Sequence, residues 1–324
     1  APGGSHRPVD PSCCSIQVSI GAPVEKVIPV VRGCAVERFV DLGDGSRLWV
    51  ELSGNPSGSP ILLIMGANAS GMVWPQSLID SLGEAHQVLR YDHRDTGRST
   101  WAFDERPYAV TDLASDAVRV LDALSIERAH VVGMSMGATL VQLLLLDHPQ
   151  RLLSATVFAA AVLEGAPGAD ETFGHTDPRL LRMWEHLMDE RERDAEIEFR
   201  VEHWRLLNGD RVPFDPSEFR RLEQRVIAHA GRHDNTAAHA RADAAGLDRG
   251  AELASVGVPV LVVEAPEDPI NPPPAAALLA AAIPGAQLVT IPGMGHAIPA
   301  AVEGPLTAAI TTFLAPIDDV RGGR

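Results

Sequence analysis

Cysteine is scarce in this 324-residue chain, and its three copies, Cys13, Cys14 and Cys34, all precede the first convincing strand. Adjacent cysteines such as Cys13 and Cys14 pair poorly with one another, so no disulfide framework is implied. Positive charge is also short: 27 Lys and Arg stand against 43 Asp and Glu, for a formal charge of −16. Such a chain repels phosphate backbones and anionic membrane surfaces, which argues against nucleic acid or membrane partners. Lysine is nearly absent, with Lys26 the lone example, and no mechanism follows from that. No apolar run reaches the roughly 18 residues of a membrane span. The opening APGGSHRPVDPSCC lacks the basic start and apolar stretch of a secretory signal. We therefore expect a cytoplasmic protein, monomeric or homodimeric, while the start at Ala1 is compatible with a processed precursor. Metal-type Cys/His spacing, a P-loop and a G-x-G-x-x-G after a strand are missing too, so no metal or cofactor is expected.

What is present suits a folded domain. A hydrophobic share of 45% with 22% charged residues allows a sizeable core, and the length fits one core plus an inserted subdomain. Residues 1–34, rich in Gly, Pro and Ser, read as a flexible arm. From Val36, VERFVDL, the turn Gly43-Asp44-Gly45 and RLWVELS predict a hairpin. ILLIM, QVLRYD, AHVVG, LSATVFA, VPVLVVE and AQLVTI then read as strands buried on both faces, alternating with helices in WPQSLIDSLG, VTDLASDAVRVLDALS, MGATLVQLLLLDH and PPAAALLAAAI. That alternation predicts an α/β fold, a mostly parallel sheet flanked by helices. Residues 164–250 break the rhythm with helical segments DPRLLRMWEHLMDE, DAEIEFRVEHWRLLNG, DPSEFRRLEQRVIAHAG and TAAHARADAA, which read as an inserted cap. The expected division is a core of 35–163 and 251–316, a cap of 164–250, and a tail of 317–324. Met183, Trp184, Trp204, Phe199 and Phe219 of the cap either line a pocket or pack cap against core.

The chemistry centres on HVVGMSMGATL, where a strand runs through Gly133-Met134-Ser135-Met136-Gly137 into a helix. This is a G-x-S-x-G nucleophile elbow in its strand, turn, helix context. Small residues on either side of Ser135 let strand and helix approach closely, and the helix N-terminus favours developing negative charge. A serine hydroxyl is a weak nucleophile and needs a base and an orienting acid. Asp268 in VLVVEAPEDPINP follows a buried strand, with Glu264 and Glu267 as competitors, and His296 sits in the glycine-flanked loop IPGMGHAIP. Acid before histidine, both after the nucleophile, is the order such an elbow calls for. The oxyanion donors are expected to be the Met136 N–H and, in ILLIMGANASG, the Ala67 N–H, with Asn68 lining the pocket or capping a turn. In YDHRDTGRS, the residues Asp92, Arg94 and Asp95 read as a structural loop network.

With these residues in view, the chain over 36–316 resembles the α/β-hydrolase superfamily. LLIMGANASGMVWP, RYDHRDTGRST, HVVGMSMGATLVQ, EDPI and IPGMGHAIP are most similar to the aclacinomycin methylesterase type. The resemblance implies an α/β-hydrolase fold whose Ser135, Asp268 and His296 remove the methyl of a polyketide ester, with Ala67 and Met136 holding the oxyanion and the cap covering an aromatic substrate. Residues 1–34 depart from that family's short start. Rival readings use the same trio as a carbon-carbon bond hydrolase, a lactonase or a cofactor-free haloperoxidase, or take the chain as a non-catalytic binding protein. Dehalogenase and epoxide hydrolase readings need a carboxylate where Ser135 stands.

Overall fold

The apolar runs alternate between two cores, one on each face of a single sheet. The computed structural model describes residues 35–172 and 176–322. Its strands are β1 (Val36–Asp41), β2 (Arg47–Gly54), β3 (Pro60–Ile64), β4 (Gln87–Tyr91), β5 (Ala129–Met134), β6 (Leu152–Phe158), β7 (Val260–Glu264) and β8 (Gln287–Thr290). They lie in the order β1-β2-β4-β3-β5-β6-β7-β8, with β1–β2 and β2–β4 antiparallel and the other pairs parallel. The helices are α1 (Gln76–Gly83), α2 (Val110–Ala123), α3 (Met136–Asp147), α4 (Pro178–Trp184), α5 (Arg193–Leu207), α6 (Pro216–Ala230), α7 (Ala238–Arg241), α8 (Ala275–Ala282) and α9 (Ala300–Gly322). The arm and its three cysteines lie outside the described residues.

Successive strand residues point to opposite faces. Leu62, Ile64, Val131 and Val262 join Leu113 of α2, Val141 of α3 and Leu279 of α8 in one core. Their neighbours Ile61, Leu63, Val132 and Leu261 join Leu78 of α1 and Leu306 and Ile310 of α9 in the other. Burial on both faces is why these strands are continuously apolar. β8 departs from that expectation: all four residues are exposed, with Leu288 at 43%, because the strand closes the sheet edge and pairs only with β7.

Between β6 and β7 the described chain contributes no strand; α4, α5 and α6 pack around Leu180, Ile197, Val201, Leu207 and Phe219, while Ala238 of α7 joins the first core. Asp-Pro pairs start α4 and α6: Asp177 accepts from Arg179 N–H at 2.7 Å, and Asp215 from Ser217 N–H at 2.8 Å. Each proline occupies the first helical turn, where a missing N–H costs nothing. Two helices are shorter than the sequence suggests. α4 stops at Trp184, and α7 is one turn, bounded by left-handed Ala237 and extended Ala242.

The expected tail is also corrected, since α9 continues to Gly322. Asp318 accepts from Ser59 Oγ at 2.6 Å and meets His86 Nε2 at 2.9 Å and His130 Nε2 at 3.2 Å, tying the helix end to the amino edge of the sheet. By length and composition Ala300–Val320 would also reach across a membrane. Its apolar residues are interrupted by Glu303, Pro305 and threonines, so no continuous run announces it, and its inner face, Val302, Leu306, Ile310 and Leu314, is wall of the second core.

Candidate active site

The nucleophile elbow has the geometry its sequence requires. All of β5 is buried, and after Met134 the backbone turns at Ser135 with φ 55 and ψ −125 before α3 begins. A left-handed φ on a residue with a side chain costs on the order of 1–3 kcal/mol and persists only where the surroundings over-determine it. Here Ser135 N–H donates to Phe158 O at 3.1 Å, while its carbonyl accepts from Ala138 N–H at 2.8 Å and Thr139 N–H at 3.2 Å. A Cβ on Gly133 would lie 2.4 Å from Gly137 O, and one on Gly137 would lie 2.1 Å from Ile64 O. Both motif glycines are therefore dictated by backbone approach.

The loops after β3, β5, β7 and β8 leave the same carboxyl edge of the sheet, because these strands are parallel. Asp268, 1% exposed, follows β7, and His296, 4% exposed, follows β8. His296 Nδ1 lies 2.8 Å from Asp268 Oδ2 and 3.0 Å from Oδ1, while Ile270 and Asn271 N–H groups donate to Oδ1 at 2.8 and 3.0 Å. Burial pushes the Asp268 pKa up. The facing His296 charge and these hydrogen bonds outweigh it, so the net shift is downward. An ionised Asp268 fixes the proton on Nδ1 and leaves Nε2 free as a base. The competing acids are elsewhere: Glu264 accepts from Thr290 Oγ1 at 2.7 Å, and Glu267 faces Arg211 at 3.4 Å.

Gly66 brings the loop after β3 against the nucleophile, since a Cβ there would sit 3.1 Å from Ser135 Cβ. Ala67 next to it is exposed and Met136 half-buried, and among the described residues neither N–H is hydrogen-bonded to a protein acceptor. Asn68 is clamped rather than open. Left-handed at φ 56, it donates its N–H to His239 Nδ1 at 2.8 Å and accepts His239 N–H on Oδ1 at 3.3 Å. The Asp92–Asp95 segment is the expected structural network. Fully buried Asp92 holds Gly71 N–H, Arg98 N–H and His229 Nε2 at 2.7–2.8 Å, Arg94 pairs with Asp116 at 2.6 Å, and Asp95 accepts from Ala102 and Phe103 N–H.

The helical insert reaches the histidine loop directly. Leu207 O, at the end of α5, accepts His296 N–H at 2.7 Å and Ala297 N–H at 3.2 Å. One turn earlier, His203 Nε2 accepts Trp184 Nε1–H at 3.0 Å. Burial, then the charges of His296 and Arg200, lower the His203 pKa to about 4, so it stays neutral. Met183, Trp184 and Trp204 are half-buried against the insert's own core, with Trp204 stacked on Phe219 at 5.5 Å and bonded to Glu223 at 2.6 Å. Phe199 lies under Arg191 at 3.7 Å. The sequence does not single out His203, His229 and His239, since apart from His296 nothing in it separates one histidine from another.

Among the described residues no group of three or more His, Cys, Asp or Glu side chains is arranged to hold a metal ion. The family described as alpha/beta hydrolase fold matches residues 59–299. Rhodomycin D methylesterase DauP of Streptomyces sp. (strain C5) is 46% identical over 281 residues, covering 82% of this chain and 94% of that protein. Rhodomycin D methylesterase DnrP of Streptomyces peucetius matches with the same identity and coverage. Among solved structures, a hydrolase from Pseudomonas aeruginosa superposes with a TM-score of 0.65 at 26% identity, covering 86% of this chain and 98% of its own.

Proposed function

The chain belongs to the alpha/beta-hydrolase family, and from that premise we propose that it removes the methyl group from carboxylic methyl esters of bulky, polyketide-like aromatic molecules through an acyl-enzyme at Ser135. It is a carboxylic ester hydrolase. The observation that carries the mechanism is the buried His296–Asp268 pair at the same sheet edge as the strained Ser135 elbow. His296 Nε2 takes the hydroxyl proton as Ser135 Oγ attacks the ester carbonyl, and the N–H groups of Ala67 and Met136 hold the oxyanion. Asp268 stabilises the imidazolium, which then protonates departing methoxide. Water, deprotonated by His296, attacks the acyl-enzyme and releases the carboxylic acid and free Ser135. The insert α4–α7 acts as the cap over the substrate, and its half-buried Trp184, Met183 and Trp204 supply apolar surface for an aromatic ring system.

The test is hydrolysis of p-nitrophenyl esters and of aromatic polyketide methyl esters by wild type and Ser135→Ala, with a serine-directed phosphonate located by peptide mass analysis. Turnover is expected to fall by at least about 10³-fold in the variant, with label on Ser135 in wild type. Near-normal turnover in Ser135→Ala would remove Ser135 from the mechanism. Selective cleavage of vinylogous diketones would instead move the chain to carbon-carbon bond hydrolysis.

A further inference from the structure

The loop after β3 has a weak point. Gly66 must lack a side chain because Ser135 Cβ stands 3.1 Å from where a Cβ would be, and glycine leaves the Gly66–Ala67 peptide free to turn. That peptide carries the Ala67 N–H. On either side of it, however, a buried imidazole grips the backbone. His93 Nε2 donates to Met65 O at 3.0 Å, and Asn68 N–H donates to His239 Nδ1 at 2.8 Å. The second grip is reciprocal through Asn68 Oδ1 and holds Asn68 in its left-handed conformation. His239 itself is anchored by Nε2, which lies 2.9 Å from Arg94 O. A carbonyl only accepts, so Nε2 carries the hydrogen and Nδ1 of the neutral ring is the acceptor that Asn68 needs.

Resting on the ester-hydrolase reading above, we propose that His239 is a positioning residue: carried on the helical insert, it fixes the peptide after Ala67 and so aims the Ala67 N–H at the oxyanion. His93 performs the matching task on the peptide before Gly66, from the core side. The two rings lie 5.5 Å apart, edge to face. Burial first, then the His93 charge, pushes the His239 pKa down to about 3, which keeps Nδ1 unprotonated at neutral pH. Because α7 belongs to the insert, seating the insert completes the oxyanion site. A substrate bound beneath the insert is thereby coupled to the donors that its transition state uses.

Two substitutions separate this role from plain packing. His239→Asn retains an acceptor near the Nδ1 position, whereas His239→Gln reaches the Nε2 position and keeps the bond to Arg94 O without serving Asn68. With a p-nitrophenyl ester, His239→Gln is expected to lower kcat by about 10- to 100-fold with KM within about twofold, as misplacing one oxyanion donor should. His239→Asn should stay within about threefold of wild type. Affinity for an arylboronic acid, whose boron accepts Ser135 Oγ while the hydroxyl proton passes to His296, should fall in His239→Gln by the same factor as kcat. Equal losses in both variants, a loss confined to KM, or unchanged boronate affinity in His239→Gln would overturn the proposal while leaving the ester-hydrolase reading intact. Failure of wild type to bind the boronate through Ser135, checked against Ser135→Ala, would overturn both.

Discussion

Asp268 accepts from His296 Nδ1 while the Ile270 and Asn271 N–H groups hold its Oδ1. In Asp268→Asn those backbone donors would keep the amide oxygen in place and turn the amide nitrogen toward His296. An NH₂ group facing Nδ1 selects the tautomer with its proton on Nε2, and the base is lost without loss of shape. We expect kcat to fall by about 10³- to 10⁴-fold with thermal stability little changed; a loss below tenfold would mean that His296 does not depend on Asp268. Ser135, Asp268 and His296 were legible in the sequence because each follows an apolar strand and is flanked by glycine, proline or both. His203 and His239 were not, because what makes them notable is the distant residues they touch, Trp184 for one and Asn68 for the other. The pocket suggested for Asn68 was half of an ambiguity the sequence left open. Its Oδ1 and N–H are both spent on His239.

At the scale of elements, strands were legible where both faces are covered and less so at the edge. ILLIM and AHVVG are apolar because alternate residues enter different cores, whereas AQLVTI, apolar but for Gln287 and Thr290, gives exposed β8. The end of α9 was missed for a related reason. Pro305 and Pro316 lie within it, and near its end the apolar contact of Ile317 is joined by the polar contacts of Asp318. Asp318 there is the shared acceptor for Ser59, His86 and the fully buried His130. Removing it by Asp318→Ala leaves buried polar groups short of a partner, at a cost of about 1–3 kcal/mol. Urea unfolding should show that loss, with kcat unchanged, because the contact sits at the amino edge of the sheet and the Ser135 elbow at the carboxyl edge. An unchanged midpoint would mean that the last turn of α9 contributes nothing to stability.

Across the whole molecule, the mostly parallel sheet followed from a hairpin leading into strand and helix alternation, but neither the order of its strands nor the way the insert sits on the core did. Part of the insert's grip on the core is histidine chemistry, His229 on Asp92 and His239 on Asn68 and Arg94, while His203 meets Trp184 within the insert itself. Such contacts leave a mark in solution. Burial lowers the pKa of His93 to about 4, of His203 to about 4 and of His239 to about 3, against 6.5 for the free side chain. Between pH 6.5 and about 4 the unfolded chain therefore binds a proton at each of these positions and the native chain does not. The sign follows: lowering pH through this window favours unfolding, by about 1.4 kcal/mol per pH unit for each such histidine. The stability is complete above pH 6.5 and is lost progressively toward pH 4. The double variant His93→Gln, His239→Asn removes two of the three groups, so its stability, measured by urea unfolding from pH 7 to 4.5, should fall with a slope shallower than wild type by up to two protons. Parallel slopes would mean that the two rings are already charged in the native state, and a protonated His239 has no lone pair on Nδ1 to offer Asn68.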